Sequence, residues 1–187
     1  MIYNIVPYEH VQRAREMYAR MSQEHWHQDD LFSPQWWFLL TTTIALVFVW
    51  WKMVDKERDH FLEIFSYGML CSVAACLLDT AGVEFSLWTY PDKLVNMIPP
   101  LIPADVIVIP ISAMLLYQYF KTPISFMLGS IALAAIFAYV VEPLFDKFEL
   151  FELYHWKHTY SFGGFIAFFL GIRLLLRQIL HSLYIQK

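Results

Sequence analysis

The sequence predicts an all-α integral membrane protein with five transmembrane helices, preceded by an N-terminal amphipathic helix at the membrane surface. Three observations support this prediction. The chain is 58% hydrophobic and only 16% charged, well above the apolar share of a soluble domain. Five apolar segments each approach the roughly 20 helical residues that cross a bilayer core. Tryptophan pairs near both ends of the first segment match the aromatic belts found at the two membrane surfaces.

Residues 1–33 are predicted to form an N-terminal interfacial segment. Within residues 8–22 one helical stripe is apolar: Val11, Ala14, Met17, Tyr18 and Met21. Charged residues lie off this stripe, so we expect a short helix that lies on the membrane or caps the bundle. The segment lacks the apolar core of a signal peptide, so the first span is expected to direct insertion.

Residues 34–187 are predicted to form the five-span bundle. The spans cover about residues 34–54, 61–82, 101–120, 123–145 and 158–181. Ser33 and Pro34 suit the N-cap and the first helical position of span one. Between spans two and three, Pro91, Pro99 and Pro100 exclude one regular helix, so this aromatic stretch is predicted to lie at the interface or to dip into the bundle mouth.

The ionisable residues inside the spans are the most informative feature of the chain. Each lies near one end of a different span: Asp79, Asp105, Glu142 and His158. Because consecutive spans alternate in direction, all four are expected near the same membrane face. An ionisable group within a span is costly, and it usually faces the bundle interior or a wet cavity. The sequence therefore predicts an acid-rich pocket open to one side.

Two groups of residues are candidates for this pocket. The candidate catalytic residues are Asp79, Asp105, Glu142, His158 and Tyr160. The candidate ligand-binding residues are Trp88, Tyr90, Tyr154 and Trp156. A crowded carboxyl group that keeps its proton in an apolar setting can donate it, and a neighbouring carboxylate or imidazole can accept one. Aromatic faces can stabilise a carbocation. Alternatively, the acids reach the headgroup layer or pair with Lys or Arg, and the aromatic residues anchor the protein at the interface.

No metal or cofactor is expected. The segment from His25 to Asp30 offers imidazoles and carboxylates, but a metal site needs three or four convergent ligands. Cys71 and Cys76, the only cysteines, are five apart on one predicted helix and cannot bridge each other. The formal net charge of −4 argues against a nucleic-acid partner. The usual hydrolase, NTPase and zincin motifs are absent from the sequence.

Orientation is predicted from the lysines and arginines near the span ends. One side carries Lys52, Lys56, Arg58, Lys121, Arg173, Arg177 and Lys187. The other side carries Arg13, Arg15, Arg20, Lys93, Lys147 and Lys157. The first group lies closer to the spans, so that side is predicted to be cytoplasmic. The N-terminus is then outside, the C-terminus inside, and the pocket faces outward.

Six short motifs follow one another along the chain: Asp79-x-x-Gly82, Trp88-x-Tyr90-Pro91, Pro103-x-Asp105, Tyr117-Gln118-Tyr119-Phe120, Glu142-Pro143 and Tyr154-x-Trp156-Lys157-His158-x-Tyr160-Ser161. Over roughly residues 34–180 the chain resembles an uncharacterised family of small five-span membrane proteins from spore-forming bacteria. The resemblance implies a multi-pass protein in the plasma membrane of a Gram-positive cell, and it implies no activity.

Trp88-x-Tyr90 followed by Pro103-x-Asp105 also resembles, more weakly, the lycopene cyclase domain. That domain is a small helical membrane module that cyclises polyene ends by protonation. The family usually has two consecutive acids after its Pro-x, whereas Val106 follows Asp105 here. The resemblance implies the chemistry of membrane terpenoid cyclases, with Glu142 or Asp79 in place of the second acid.

The leading hypothesis is an acid-rich pocket for a membrane lipid or an isoprenoid. If the protein is an enzyme, it would catalyse proton-initiated cyclisation or isomerisation, with Asp105 as donor and with Asp79 and Glu142 tuning or accepting the proton. The first alternative is a non-catalytic protein that binds a lipid or a partner in sporulation or envelope assembly. The second is a proton- or cation-coupled transporter. The sequence is compatible with a homo-oligomer, because lipid-facing and partner-facing surfaces look alike.

Overall fold

The fold is all-α, as predicted. A computed structural model describes residues 6–97 and 101–185. Pro99, Pro100 and Lys187, which the sequence analysis named, lie outside these ranges. The described helices are α1 (Tyr8–His25), α2 (Pro34–Met53), α3 (Arg58–Glu84), α4 (Ile109–Tyr119), α5 (Pro123–Ile136), α6 (Glu142–Lys147) and α7 (His158–Ile185). Two short strands, β1 (Trp88–Thr89) and β2 (Glu152–Leu153), pair antiparallel, with Trp88 opposite Leu153.

Four of the described helices are long and apolar enough to cross a membrane by length and composition. They are Pro34–Met53, Arg58–Glu84, Pro123–Lys147 and His158–Ser182. These helices correspond to four of the five predicted spans, and the chain is a multi-pass membrane protein. The third predicted span contains a shorter apolar helix, Pro103–Tyr119, whose crossing of the membrane stays a prediction.

Three π-helical turns widen the described helices. They are Trp26–Asp30 after α1, Pro103–Val108 before α4, and Phe137–Val141 between α5 and α6. Pro110 lies two residues after the end of the second turn, and Pro143 lies two residues after the end of the third. A proline lacks an N–H and its ring clashes with the carbonyl four residues earlier, and a wider turn relieves that clash. The two prolines therefore account for the widening of two helices.

The centre of the bundle is a layer of fully buried aromatic side chains. Tyr67 on α3, Phe126 on α5 and Phe169 on α7 meet there. The Tyr67 hydroxyl donates a hydrogen bond to the Phe169 carbonyl oxygen at 2.9 Å. A hydroxyl without a partner inside an apolar bundle is costly, so this bond holds α3 and α7 in one register.

The amphipathic helix α1 exposes its apolar stripe. No residue of α1 is buried, and Met17 and Tyr18 on the stripe are among the exposed apolar residues. The stripe is therefore free to face the membrane, and whether α1 lies on the membrane or caps the bundle stays a prediction. The region just after α1 is bound to the loop that follows α3, because the Trp26 indole N–H donates a hydrogen bond to the Lys93 carbonyl oxygen at 3.1 Å. As predicted, Ser33 caps α2 by accepting a hydrogen bond from the Trp36 N–H.

Arg173 is buried in the bundle although its charge was predicted to lie at the cytoplasmic face. Only 6% of the residue is exposed. Its Nη2 donates to the Lys121 carbonyl at 2.7 Å, and its guanidinium lies 3.9 Å from the centre of the Phe126 ring. Lys121 belongs to the turn between α4 and α5, where helix-end carbonyls lack backbone partners. The guanidinium thus ties α7 to this turn.

Replacing Arg173 with methionine is expected to destabilise the protein by about 2 kcal/mol. The change removes a charged hydrogen bond to a helix-end carbonyl and a cation–π contact. Thermal unfolding of the purified protein in detergent measures the effect. Arg177→Met is the matched control, because Arg177 lies one helical turn further on the same helix and is exposed. Equal melting temperatures for the two variants would contradict this role of Arg173.

Candidate functional site

A cavity of about 400 Å³ opens at one end of the bundle, between α3, α7, the segment before α4 and the helix Pro123–Lys147. This volume falls within the range of small-molecule pockets, about 300–1,000 Å³. Three predicted acids line it: Asp79, Asp105 and Glu142. Three predicted aromatic residues line it as well: Trp88, Tyr90 and Trp156. The rest of the lining is almost entirely apolar.

Asp79 is the best-anchored acid of the cavity. It lies near the end of α3 and is 6% exposed. The Trp88 indole N–H and the Tyr90 hydroxyl both donate to its Oδ1, at 2.8 Å and 2.5 Å. Both donors come from the loop that follows α3, and Gly82 leaves room for the Trp88 ring against the helix. Oδ2 accepts no hydrogen bond from the described part of the chain.

Asp105 lies beside Asp79, on the π-helical turn before α4. It is 3% exposed, and its Oδ2 also has no hydrogen-bond partner among residues 6–97 and 101–185. No lysine or arginine of these residues lines the cavity. Two adjacent buried carboxyl groups without a cation are most stable when they share one proton. The pair can therefore offer both a proton donor and an acceptor to a bound molecule.

Glu142 forms a second polar pair with His158. The Glu142 Oε2 and the His158 Nδ1 are 2.7 Å apart, and they lie at the start of α6 and of α7. Glu142 lines the cavity. His158 does not line it, and its side chain is partly exposed. The imidazole orients this carboxyl group and connects it to the surface. A proton can therefore pass between the cavity wall and solvent through this pair.

Aromatic side chains form part of the wall of the cavity. Trp88 and Trp156 meet edge to face, with ring centres 5.4 Å apart, and the Trp156 indole N–H donates to the Ser161 Oγ at 3.0 Å. Burial and the neighbouring Asp79 carboxylate raise the pKa of Tyr90 well above its ordinary value. Its phenol therefore stays protonated and remains a hydrogen-bond donor to Asp79.

Tyr154 and Tyr160 do not line the cavity, which corrects the prediction that they reach the shared pocket. Tyr154 follows the β1–β2 ribbon, is exposed, and donates to Glu152 at the surface. Tyr160 is exposed and packs against the outer side of the Trp156 ring. Neighbouring helix positions differ by about 100° in direction, so Ser161 faces the cavity and Tyr160 cannot.

One face of α7 contributes cavity residues that the sequence reasoning missed. They are Ser161, Gly164, Phe165 and Phe168. Their spacing of three and four residues places them on one helical stripe. The contrast between two small residues and two phenylalanines on one stripe is the signal that would have indicated a concave, aromatic-walled surface.

A second, smaller cavity of about 180 Å³ lies at the opposite end of the bundle. Its polar lining includes Asp55, His60, Glu63, Gln118, Lys121 and Arg177. The buried aromatic layer of Tyr67, Phe126 and Phe169 lies between the two cavities. The described residues thus form two separate cavities, one mostly apolar with three acids and one mostly polar.

No protein-family model, no curated protein and no solved structure matches this chain. Both sequence resemblances therefore stay predictions.

Proposed function

We propose that this protein is a membrane enzyme that binds the unsaturated tail of an isoprenoid or another lipid and rearranges it by proton transfer. One observation carries the proposal: Asp79 and Asp105 are adjacent, buried and without a cation at the wall of an apolar cavity. An apolar tail offers such acids few groups to act on other than carbon–carbon double bonds. Protonation of a double bond is the reaction that a carboxylic acid can start there.

The proposed reaction is balanced without an oxidant or a reductant. The Asp105 carboxyl group gives its proton to one carbon of a double bond, and the neighbouring carbon becomes a carbocation. Loss of a proton from an adjacent carbon to Asp79 or Glu142 restores a double bond, which gives an isomer. If a second double bond of the same chain attacks the cation first, a ring forms before the proton leaves. When Asp79 takes the proton, its exchange with Asp105 returns the donor to its starting state. When Glu142 takes it, Glu142 releases it to solvent through His158, and Asp105 regains one proton from solvent.

The surroundings of the acids suit a carbocation. Water would capture the cation, and the apolar lining keeps most of the cavity free of groups that hold water. The faces and edges of Trp88, Tyr90 and Trp156 surround the same space. Aromatic faces attract positive charge, and the attraction is stronger where water is excluded.

Orientation and location are part of the proposal. We place the protein in the plasma membrane of a bacterial cell, with the N-terminus and the acid-lined cavity outside. The distribution of lysines and arginines supports this orientation, since Lys52, Lys56 and Arg58 lie directly beside spans at the opposite end.

Lipid binding without chemistry is a second candidate function. The two hydrogen bonds from Trp88 and Tyr90 to Asp79 Oδ1 favour it, because they also serve to fix the loop over the cavity. In that case the aromatic wall would carry binding, and substitution of the acids would leave it unchanged.

Native mass spectrometry in mild detergent, with lipid analysis of what co-purifies, tests the proposal. We expect the wild-type protein to retain an isoprenoid or unsaturated lipid, and the double variant Asp105→Asn/Glu142→Gln to lose it. Asp146→Asn is the matched control, because Asp146 is an exposed acid one turn beyond Glu142. A lipid that is lost in Trp88→Ala but kept in the double variant supports the second candidate. A wild-type protein whose mass shows no bound lipid overturns both candidate functions.

A further inference from the structure

We propose a divalent metal site at the outer end of the molecule, formed by His25, Asp30 and Asp92. One ligand atom from each of these residues lies within 4.8 Å of the other two. His25 and Asp30 flank one π-helical turn after α1, and Asp92 comes from the distant loop between α3 and α4. Neither the acid-lined cavity nor the proposed reaction uses them, so the site is independent of the proposed function.

Asp30 supplies a buried oxygen atom that points into this cluster. The residue is 1% exposed. Its Oδ2 accepts a hydrogen bond from the Lys93 N–H at 3.0 Å, which ties it to the loop that carries Asp92. Its Oδ1 accepts none from the described residues and lies 3.4 Å from the His25 Nε2. A buried carboxylate oxygen without a partner is costly, and a cation satisfies it.

The His25 ring lies between two carboxylates. Its Nδ1 lies 3.0 Å from the Asp29 carboxylate, and its Nε2 lies 3.4 Å from the Asp30 Oδ1. A neutral imidazole offers the lone pair of one ring nitrogen to a metal ion, so a cation between Nε2 and the Asp30 Oδ1 would be bound by both atoms. Two ligands of a tetrahedral zinc ion with bonds of about 2.1 Å are about 3.4 Å apart, which matches the observed separation.

The π-helical turn Trp26–Asp30 is what brings His25 and Asp30 together. Residues five apart on an α-helix point in different directions, whereas the wider turn returns the fifth residue to the same side. Asp92 completes the set, and its carboxyl group lies within 4.8 Å of that of Asp30. A cation would relieve the repulsion between these two carboxyl groups.

The donor set indicates the class of metal. One imidazole and two carboxylates suit Zn²⁺ or a similar transition metal, because Ca²⁺ and Mg²⁺ prefer oxygen ligands alone. Asp92 is two residues beyond Tyr90. The metal would therefore fasten the end of α1 to the loop that places Tyr90 on Asp79.

Metal titration of the full-length protein in detergent tests this site. After removal of metals with a chelator, Zn²⁺ is titrated against a chromophoric competitor, and Co²⁺ absorption reports the geometry. We expect one ion per chain, and affinities about 10-fold or more weaker in His25→Ala and in Asp92→Asn. His27→Ala is the matched control, since this neighbouring imidazole lies outside the cluster.

Three outcomes would overturn the site. They are a wild-type protein that binds no Zn²⁺, equal affinities in all variants, and a loss in His27→Ala as large as that in His25→Ala. His25 is exposed and α1 has no buried residue, so His25→Ala is expected to fold normally. The Zn²⁺ titration does not measure lipid retention. A protein that binds no Zn²⁺ would therefore leave the proposed function intact, and a protein that retains no lipid would leave the metal site intact.

Discussion

Asp105→Asn is expected to lower proton-initiated rearrangement of a bound isoprenoid by at least about 100-fold. Asparagine keeps the shape of the side chain but cannot give up a proton. The measurement is incorporation of deuterium from heavy water into an acyclic polyprenol incubated with the purified protein, read by mass spectrometry. Each protonation of a double bond from an exchanged Asp105 leaves one solvent-derived deuterium on carbon, so the label counts the proposed step.

Asp146→Asn is the control for this experiment, because it removes an acid at the same end of the bundle but outside the cavity. It should label the polyprenol as the wild type does. Equal labelling by Asp105→Asn and the wild type would remove Asp105 from the mechanism. Absence of label in the wild type, with lipid still bound, would favour the non-catalytic function.

Gly82→Ala is expected to destabilise the protein by about 1–3 kcal/mol and to weaken lipid retention. A Cβ at this position would collide with the six-membered ring of Trp88, which is too rigid to yield locally. The indole would have to move, and its hydrogen bond to the Asp79 Oδ1 would be lost. Thermal unfolding and tryptophan fluorescence measure the two consequences, and native mass spectrometry measures retention.

Gly171→Ala is the matched control for Gly82→Ala. A Cβ at Gly171 meets nothing within 4 Å, and the residue lies inside α7. Alanine is the better helix former, so this variant should be as stable as the wild type or up to about 1 kcal/mol more stable. Equal melting temperatures for Gly82→Ala and Gly171→Ala would contradict the role of Trp88 packing on α3 in stabilising the cavity.

Pro110 and Pro143 also contribute to the site. Asp105 lies within the π-helical turn that precedes Pro110, and Glu142 follows directly on the turn that precedes Pro143. A wide turn displaces the side chains around it from the positions of a regular helix. Two opposing helices thus widen at the level of the cavity, where each presents an acid.

Much of the fold follows from the sequence alone. Long apolar segments must cross or line the bilayer, so the four long helices could be predicted from composition and length, whereas the fifth span stays a prediction. Ser33 and Pro34 indicated the start of α2 correctly because helix caps are local in sequence. Alternation of the spans also predicts that Asp79, Asp105 and Glu142 share one end, and they line one cavity.

The contacts within the site were decided by the tertiary structure. Surfaces that face lipid and surfaces that face other helices are equally apolar, so the sequence does not encode how each helix is rotated. Rotation is what turns Ser161 inward and Tyr160 outward. The path of the loop after α3 is likewise non-local, and it brings Asp92 to His25. The sequence by itself therefore determined which end of the bundle holds the acids, whereas only packing decided which side chains meet there.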